Sequence, residues 1–389
     1  MSVASRSIKV FFIVIVLLLV AVAAFVATFD ANNYKPQIIE QVEKATGRDF
    51  SIAGDIELSI FPWVGLKVEN VTLGNAAGFS AEQFAAIKQL DIRVNVLPLL
   101  KQEVQINTIR LHGLNVALEV AENKSNNWSD LVKKDQAQPE AAAAEAGPEA
   151  AAEESRALPL QALLVEGFEF VDAQIHYDDR SSNTRATVSE LNLTSSAIEF
   201  DRPVALQFAA RIKSNQPQID TRLKLVTQLT FNKDFSQFDL ADFLFTIVAS
   251  ADASAGLAIK QDEQLEIKTS SIKVSMGEQR ITLKPLHITA LGTVTQADIS
   301  VSQFLEAPQV QGVIEVQPFN VRKLAARAGV QLPEMAHPEA LQQVSLKTAI
   351  NMAGEKLLAD DLDIRLDGSA LSGWIHVTDL AKQQIRYEL

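Results

Sequence analysis

The chain has 389 residues, a formal net charge of −13 and no cysteine. That acidic balance excludes nucleic acid as a main partner, because a phosphate backbone needs clustered Lys and Arg. Without cysteine there is no disulfide frame, thiolate metal site or thiol nucleophile.

Residues 1–9 carry Arg6 and Lys9 and read as a cytoplasmic N-terminus. The next twenty, Val10 to Phe29, hold no charge. As a helix rising ~1.5 Å per residue they match the thickness of a bilayer's hydrocarbon core. Basic residues before the run keep the N-terminus inside, so the remaining chain is expected across the membrane. A cleaved signal peptide is the alternative, with Ala21-Val22-Ala23 as its small-x-small site. The apolar run continues through Phe25, Val26 and Phe29, past the end of a signal's apolar core, so an uncleaved anchor is expected.

Residues 30–135 form a first exported region. Asp30 to Gly47 reads as a short helix, capped by Asn32 or Asn33, with Pro36 in its first turn and Gly47 at its stop. The period then changes to two: Ile56, Leu58, Ile60; Leu66, Val68; Leu90, Ile92, Val94, Val96; Leu114, Val116, Leu118. Alternation of this kind marks strands with one apolar face. Ser80 with Gln83 resembles a capping box and predicts two helical turns through Ala86.

Residues 136–157 are almost entirely Ala, Glu, Gln and Pro. They read as a flexible acidic linker or long surface loop. From 158 to 389 the alternating code returns: Phe168, Phe170; Leu223, Leu225; Phe243, Phe245; Ile272, Val274; Leu362, Ile364, Leu366. Asp367-Gly368 predicts a hairpin turn, and Asn320 predicts the cap of a helix over Val321 to Ala328. The expected fold is mostly β, an antiparallel sheet of many strands with a few short helices. Alternation alone fits a closed sandwich and an open groove equally.

The chain resembles the AsmA family of bacterial envelope proteins at Asp30 to Pro36, Ala45-Thr46-Gly47-Arg48, Gly54 to Trp63, Leu73 to Phe79, Val96 to Leu100 and Asn126-Asn127-Trp128. Later matches include Val165-Glu166-Gly167, Tyr177-Asp178-Asp179 and Leu366 to Gly373. The resemblance implies a single-pass inner-membrane anchor and an elongated, curved periplasmic β-structure, groove-like or partly closed, with an apolar inner face. It also implies movement of phospholipid toward the outer membrane and support of envelope integrity. Members of this kind often run longer, so a short member and a fragment are both open.

No catalytic, cofactor or metal site is expected. His112, His176, His287, His337 and His376 lack partners at metal-ligand spacing, and no H-E-x-x-H, G-x-S-x-G or Walker sequence occurs. Asp361, Asp363 and Asp367 lack the glycine and closing glutamate of a calcium loop and read as a solvated strand face. An apolar strand face short of helices to cover it suits acyl chains. Ile92, Val94, Leu225, Phe243 and Phe245 are the candidate lipid-facing residues. The expected partners are the membrane and phospholipid or another acyl-chain ligand. A structural or assembly role with envelope assembly proteins is the alternative.

Overall fold

The computed structural model describes residues 30–59, 63–95, 105–134, 164–251, 259–335, 337, 339–380, 382 and 384–389. The expected anchor, Val10 to Phe29, and the expected linker, 136–157, lie outside these. Among the described residues no helix is long and apolar enough to cross a membrane.

A 3-10 turn, Ala31–Tyr34, leads into helix α1, Lys35–Thr46, which stops at Gly47 with φ 73°. Asp30, not either asparagine, caps the turn, its carboxylate accepting from Asn32 N. Asn32 is used elsewhere: its Oδ1 accepts from Ile56 N and ties the turn to the sheet.

The first strands are β1 (Phe50–Ile52), β2 (Ile56–Ser59), β3 (Trp63–Gly74), β4 (Gln83–Asn95), β5 (Gln105–His112) and β6 (Asn115–Val120). Helix α2 (Ser129–Lys134) follows, then β7 (Leu164–Asp179), β8 (Thr184–Ser195), β9 (Val204–Asn215) and β10 (Gln218–Phe231). Next come β11 (Gln237–Ala251), β12 (Ile259–Ser275), β13 (Arg280–Ala290), β14 (Thr293–Ser302) and β15 (Gln309–Phe319). Helix α3 (Val321–Arg327) precedes β16 (Val344–Ala353), β17 (Lys356–Leu366), β18 (Ser369–Asp379) and β19 (Gln384–Glu388). Asn320 caps α3 through Lys323 N, and Asp367-Gly368 turns β17 into β18, both as the sequence predicts.

All nineteen strands among the described residues join one sheet. β1 and β2 share one edge of β3, β4 follows, and β5 and β6 lie end to end between β4 and β7. From β7 to β19 each strand pairs antiparallel with the next. At about 4.8 Å per strand the sheet's contour runs to roughly 80 Å.

Two expectations are corrected. The sheet is mixed, because β7 runs parallel to β5 and β6. Parallel neighbours need a long crossover, and the stretch between Val120 and Leu164 supplies that length. The helix expected over Ser80 to Ala86 is strand: Gln83, Ala85, Ala86 and Ile87 pair with β3. Ladder hydrogen bonds and the apolar face outweigh a local capping signal, and Ser80 serves another carboxylate described below.

Strands are bent at recurrent bulges. Asp172, Glu190, Asp242 and Asp361 hold φ near +50° inside strands. A bulge frees backbone groups from the ladder, and two threonines satisfy them. Thr227 Oγ1 donates to Ala241 O, and Thr348 Oγ1 donates to Asp360 O, each at 2.9 Å. Each accepting carbonyl lies just before a positive-φ aspartate, so the same device occurs in β10–β11 and β16–β17. Thr227, Thr269 and Thr348 are all buried.

The polar face carries its own register lock. Glu57, Lys67, Asp91, Arg110 and Glu169 are successive cross-strand partners with alternating charge. Lys67 pairs with Glu57 at 3.5 Å and Arg110 with Glu169 at 2.9 Å. Slipping one strand by a residue would bring its apolar set to this face, so the ladder opposes slippage.

Candidate functional site: an apolar face of one long sheet

Directly paired residues lie on one face of a sheet, so the ladders trace rows across it. One row runs from β2 to β18. It begins Ile56, Val68, Leu90, Leu111, Phe170, Leu193, Phe208, Leu225. It continues Phe245, Ile267, Ile288, Thr295, Val316, Leu346, Ile364, Leu371. Thr295 is the one polar member. A second row runs Phe231, Phe238, Val274, Ile281, Val301, Val310, Met352, Leu357, Val377, Ile385.

Among the described residues each strand makes its extensive close contacts with its ladder partners. The buried apolar side chains are few and mostly small: Ala173, Ala210, Ala297, Ala325 and Ala328, with Ile56, Val68, Val204 and Leu362. Large members of the first row from Leu90 to Ile364 are half-buried. Bulges re-aim and bend strands, so the rows lie on a sheet that is not flat.

The five candidates of the sequence fall on this face. Leu225 and Phe245 are direct partners in the first row. Phe243 pairs with Thr269 beside that row. Ile92 pairs with Leu66 and Ile109, and Val94 with Val64 and Ile106, one and two steps along β4 from Leu90. The structure places them together on one side; it holds no acyl chain.

One end of the sheet is fastened by a buried polar knot that alternation could not reveal. Glu119, Asn127 and Arg48 are all buried. Glu119 accepts from Ser80 N (2.9 Å), Ser80 Oγ (2.6 Å), Ala81 N (2.7 Å), Asn75 Nδ2 (3.0 Å) and Arg180 Nη2 (2.9 Å). Burial pushes its carboxyl up, but Ser80, Ala81 and Asn75 together hold it below the ordinary glutamate value of 4.5. Asn127 Oδ1 accepts from Glu119 N, and its Nδ2 donates to Asn75 Oδ1 and Ala117 O. Arg48 donates to Asn127 O and to both oxygens of Asp130, and its guanidinium lies 4.6 Å from the Phe84 ring centroid. Arg48 thereby lowers the Asp130 carboxyl. Three separate stretches that carry the family resemblance, around Arg48, Asn75 and Asn127, meet in this knot.

Among the described residues no group of three or more His, Asp or Glu could hold a metal. Of the aspartates considered for calcium, Asp367 accepts from Leu341, Gln342 and Gln343 N, Asp363 lies 3.7 Å from Arg365 Nη2, and Asp361 sits at a bulge. A cavity of about 390 Å³ lies near Phe231 and Lys273, and Asp201, Asp239 and Glu278 offset Lys273 and Arg280 around it.

A single mixed sheet of this length, crossed by continuous apolar rows and carrying few short helices, defines an elongated all-β class. The chain belongs to the AsmA family, whose sequence model matches residues 1–386. It is 28% identical over 125 residues to the AsmA family protein YhjG of Escherichia coli (strain K12). That match covers 29% of this chain and 18% of the relative's length. No solved structure matches the chain.

Proposed function

We propose that this protein carries lipid, phospholipid first among candidates, along this apolar face as a trough, from an inner-membrane anchor toward the outer membrane, and so supports envelope integrity. The carrying observation is the first row, which runs from β2 to β18 with its large apolar side chains from Leu90 to Ile364 only half-buried. Each methylene moved from water onto such a surface gains up to ~0.8 kcal/mol, and the gain is non-directional. A uniform row therefore holds a chain without fixing it at one place, and headgroups remain in water at the open side. No catalytic residue is needed.

In this reading Val10 to Phe29 spans the inner membrane once, with the N-terminus cytoplasmic and the bulk of the chain periplasmic. The turn and α1 follow that span in sequence and pack on β2 and β1, so in this reading the β1–β2 edge is the one nearest the bilayer and the rows lead away from it.

The test is transfer of labelled phospholipid between vesicles by the full chain reconstituted in the donor. Leu225→Asp with Phe245→Asp sets two carboxylates side by side in the first row and should reduce transfer to background. Lys224→Asp with Thr246→Asp, paired on the opposite face, should leave it unchanged. Equal effects of both pairs, or no transfer by the parent chain, would overturn the proposal. Co-purification with envelope assembly proteins in the absence of lipid would favour the assembly role.

A further inference from the structure

Helix α3 reaches back over the trough. It belongs to the connection from β15 to β16, yet Arg327 at its end contacts Glu263 of β12, Nε to Oε1 3.8 Å. Glu263 pairs with Ala249 two residues from the Ile247–Leu265 pair and four from Phe245–Ile267, so it shares the apolar face. The same guanidinium crosses the β13–β14 turn: a Cβ built on Gly292 falls 2.9 Å from Arg327 Nη1. α3 is held there by its own connection. Asn320 caps it, Val321 N donates to Leu341 O, and Arg322 Nε donates to Ala340 O. Ala325 is buried beneath it.

The exposed side of this lip is cationic. Lys323 and Arg327 are four apart, so their side chains neighbour each other on one helix face. Both residues are exposed, and the Lys323 ammonium has no partner among the described residues. The Arg327–Glu263 contact is longer than a hydrogen bond, leaving guanidinium donors available. Like charges at this spacing repel unless an anion sits between them. In a chain of net charge −13, the pair stands at the margin of an apolar trough.

We infer that Lys323 and Arg327 form a headgroup site at the trough's lip, binding the phosphate of a glycerophospholipid whose acyl chains lie on the rows below. This rests on the trough reading and adds selectivity for a phosphodiester over an uncharged lipid. Glu263 is the competing anion: it holds Arg327 when no phosphate is present and gives way when one arrives.

The full chain is reconstituted in lipid discs containing phosphatidylglycerol or diacylglycerol with the same photoreactive acyl chain, and adducts on β12–β16 are mapped by mass spectrometry. Lys323→Gln with Arg327→Gln should lower phosphatidylglycerol adducts there about fivefold or more, as loss of charge-assisted contacts requires, and leave diacylglycerol adducts unchanged. Arg327→Lys should retain most of the signal, and Glu263→Gln should raise it. Equal loss of both lipids, or loss of neither, would overturn the site. Absence of any trough adduct in the parent chain would instead sink the trough reading. Protection of Arg327 from phenylglyoxal by inorganic phosphate, without a change in lipid adducts, would assign a free-anion site and overturn the lipid assignment.

Discussion

Glu119→Ala removes the centre of the buried knot, and its cost can be worked from the partners it leaves. Ser80 N and Ala81 N, at 2.9 and 2.7 Å, lose their acceptor. An orphaned donor held from water costs about 1–3 kcal/mol, with Ser80, an exposed residue, at the lower end. Ser80 Oγ and Asn75 Nδ2 can find other partners by rotation, and Arg180, with its side chain 39% exposed, can turn to water. The sum is roughly 3–5 kcal/mol, in line with truncating one member of a buried network. Glu119→Gln keeps one oxygen and should cost about 1–3 kcal/mol. Because each strand packs mainly on its neighbours, the loss should be local and should not unfold β10–β19. Hydrogen exchange followed by mass spectrometry reads this directly: the loop of residues 75–82 and the Asn126–Ser129 turn should lose protection by that amount, while β11 and β12 keep theirs. A change under about 1 kcal/mol in the loop, or an equal change in β11, would refute the reasoning.

Other expectations follow from the same contacts. Thr227→Val and Thr348→Val each leave a bulge carbonyl without its hydroxyl donor and should cost about 1–2 kcal/mol by the same exchange measurement, with Thr→Ser milder. Asp242→Gly should be tolerated at φ 50°, whereas Asp242→Val, β-branched in the left-handed region, should cost about 1–2 kcal/mol and loosen the β10–β11 bulge. Acid should release the knot: the Glu119 and Asp130 carboxyls lie below their ordinary values when folded, so their stabilisation is complete above about pH 4.5 and fades as pH falls through the lowered values. Protection of the residue 75–82 loop should therefore drop below pH 4.5 before that of β12, and Glu119→Gln should flatten this dependence.

The rows were legible in the sequence because alternation has the sheet's own period. Leu225, Phe243 and Phe245 could be assigned to one face with no knowledge of partners. What alternation could not give was how far each face is buried, because the half-buried state of the first row is a property of the whole sheet. The parallel β5–β7 pairing was hidden for a similar reason. Direction of pairing is set by where the long stretch after Val120 returns, and its Ala and Glu composition does not encode an end point. Ser80-x-x-Gln83 misled because a capping box is a short local signal, and here Ser80 instead donates to Glu119, thirty-nine residues away. Arg48, Asn75 and Asn127 lay in stretches that carry the resemblance, but their convergence needed coordinates. The lip cations were invisible for the same reason: Glu263 and Arg327 are distant in sequence and meet only because α3 turns back over β12–β14.

The most direct test of the trough uses a photoreactive side chain placed, one position at a time, at Ile92, Leu225 and Phe245 on the apolar face and at Lys224 and Thr246 on the other, in living cells. Phospholipid should be captured at the first three positions and not at the last two. Capture that ignores the face, or none on the apolar face while a control position in Val10 to Phe29 captures lipid, would contradict the account.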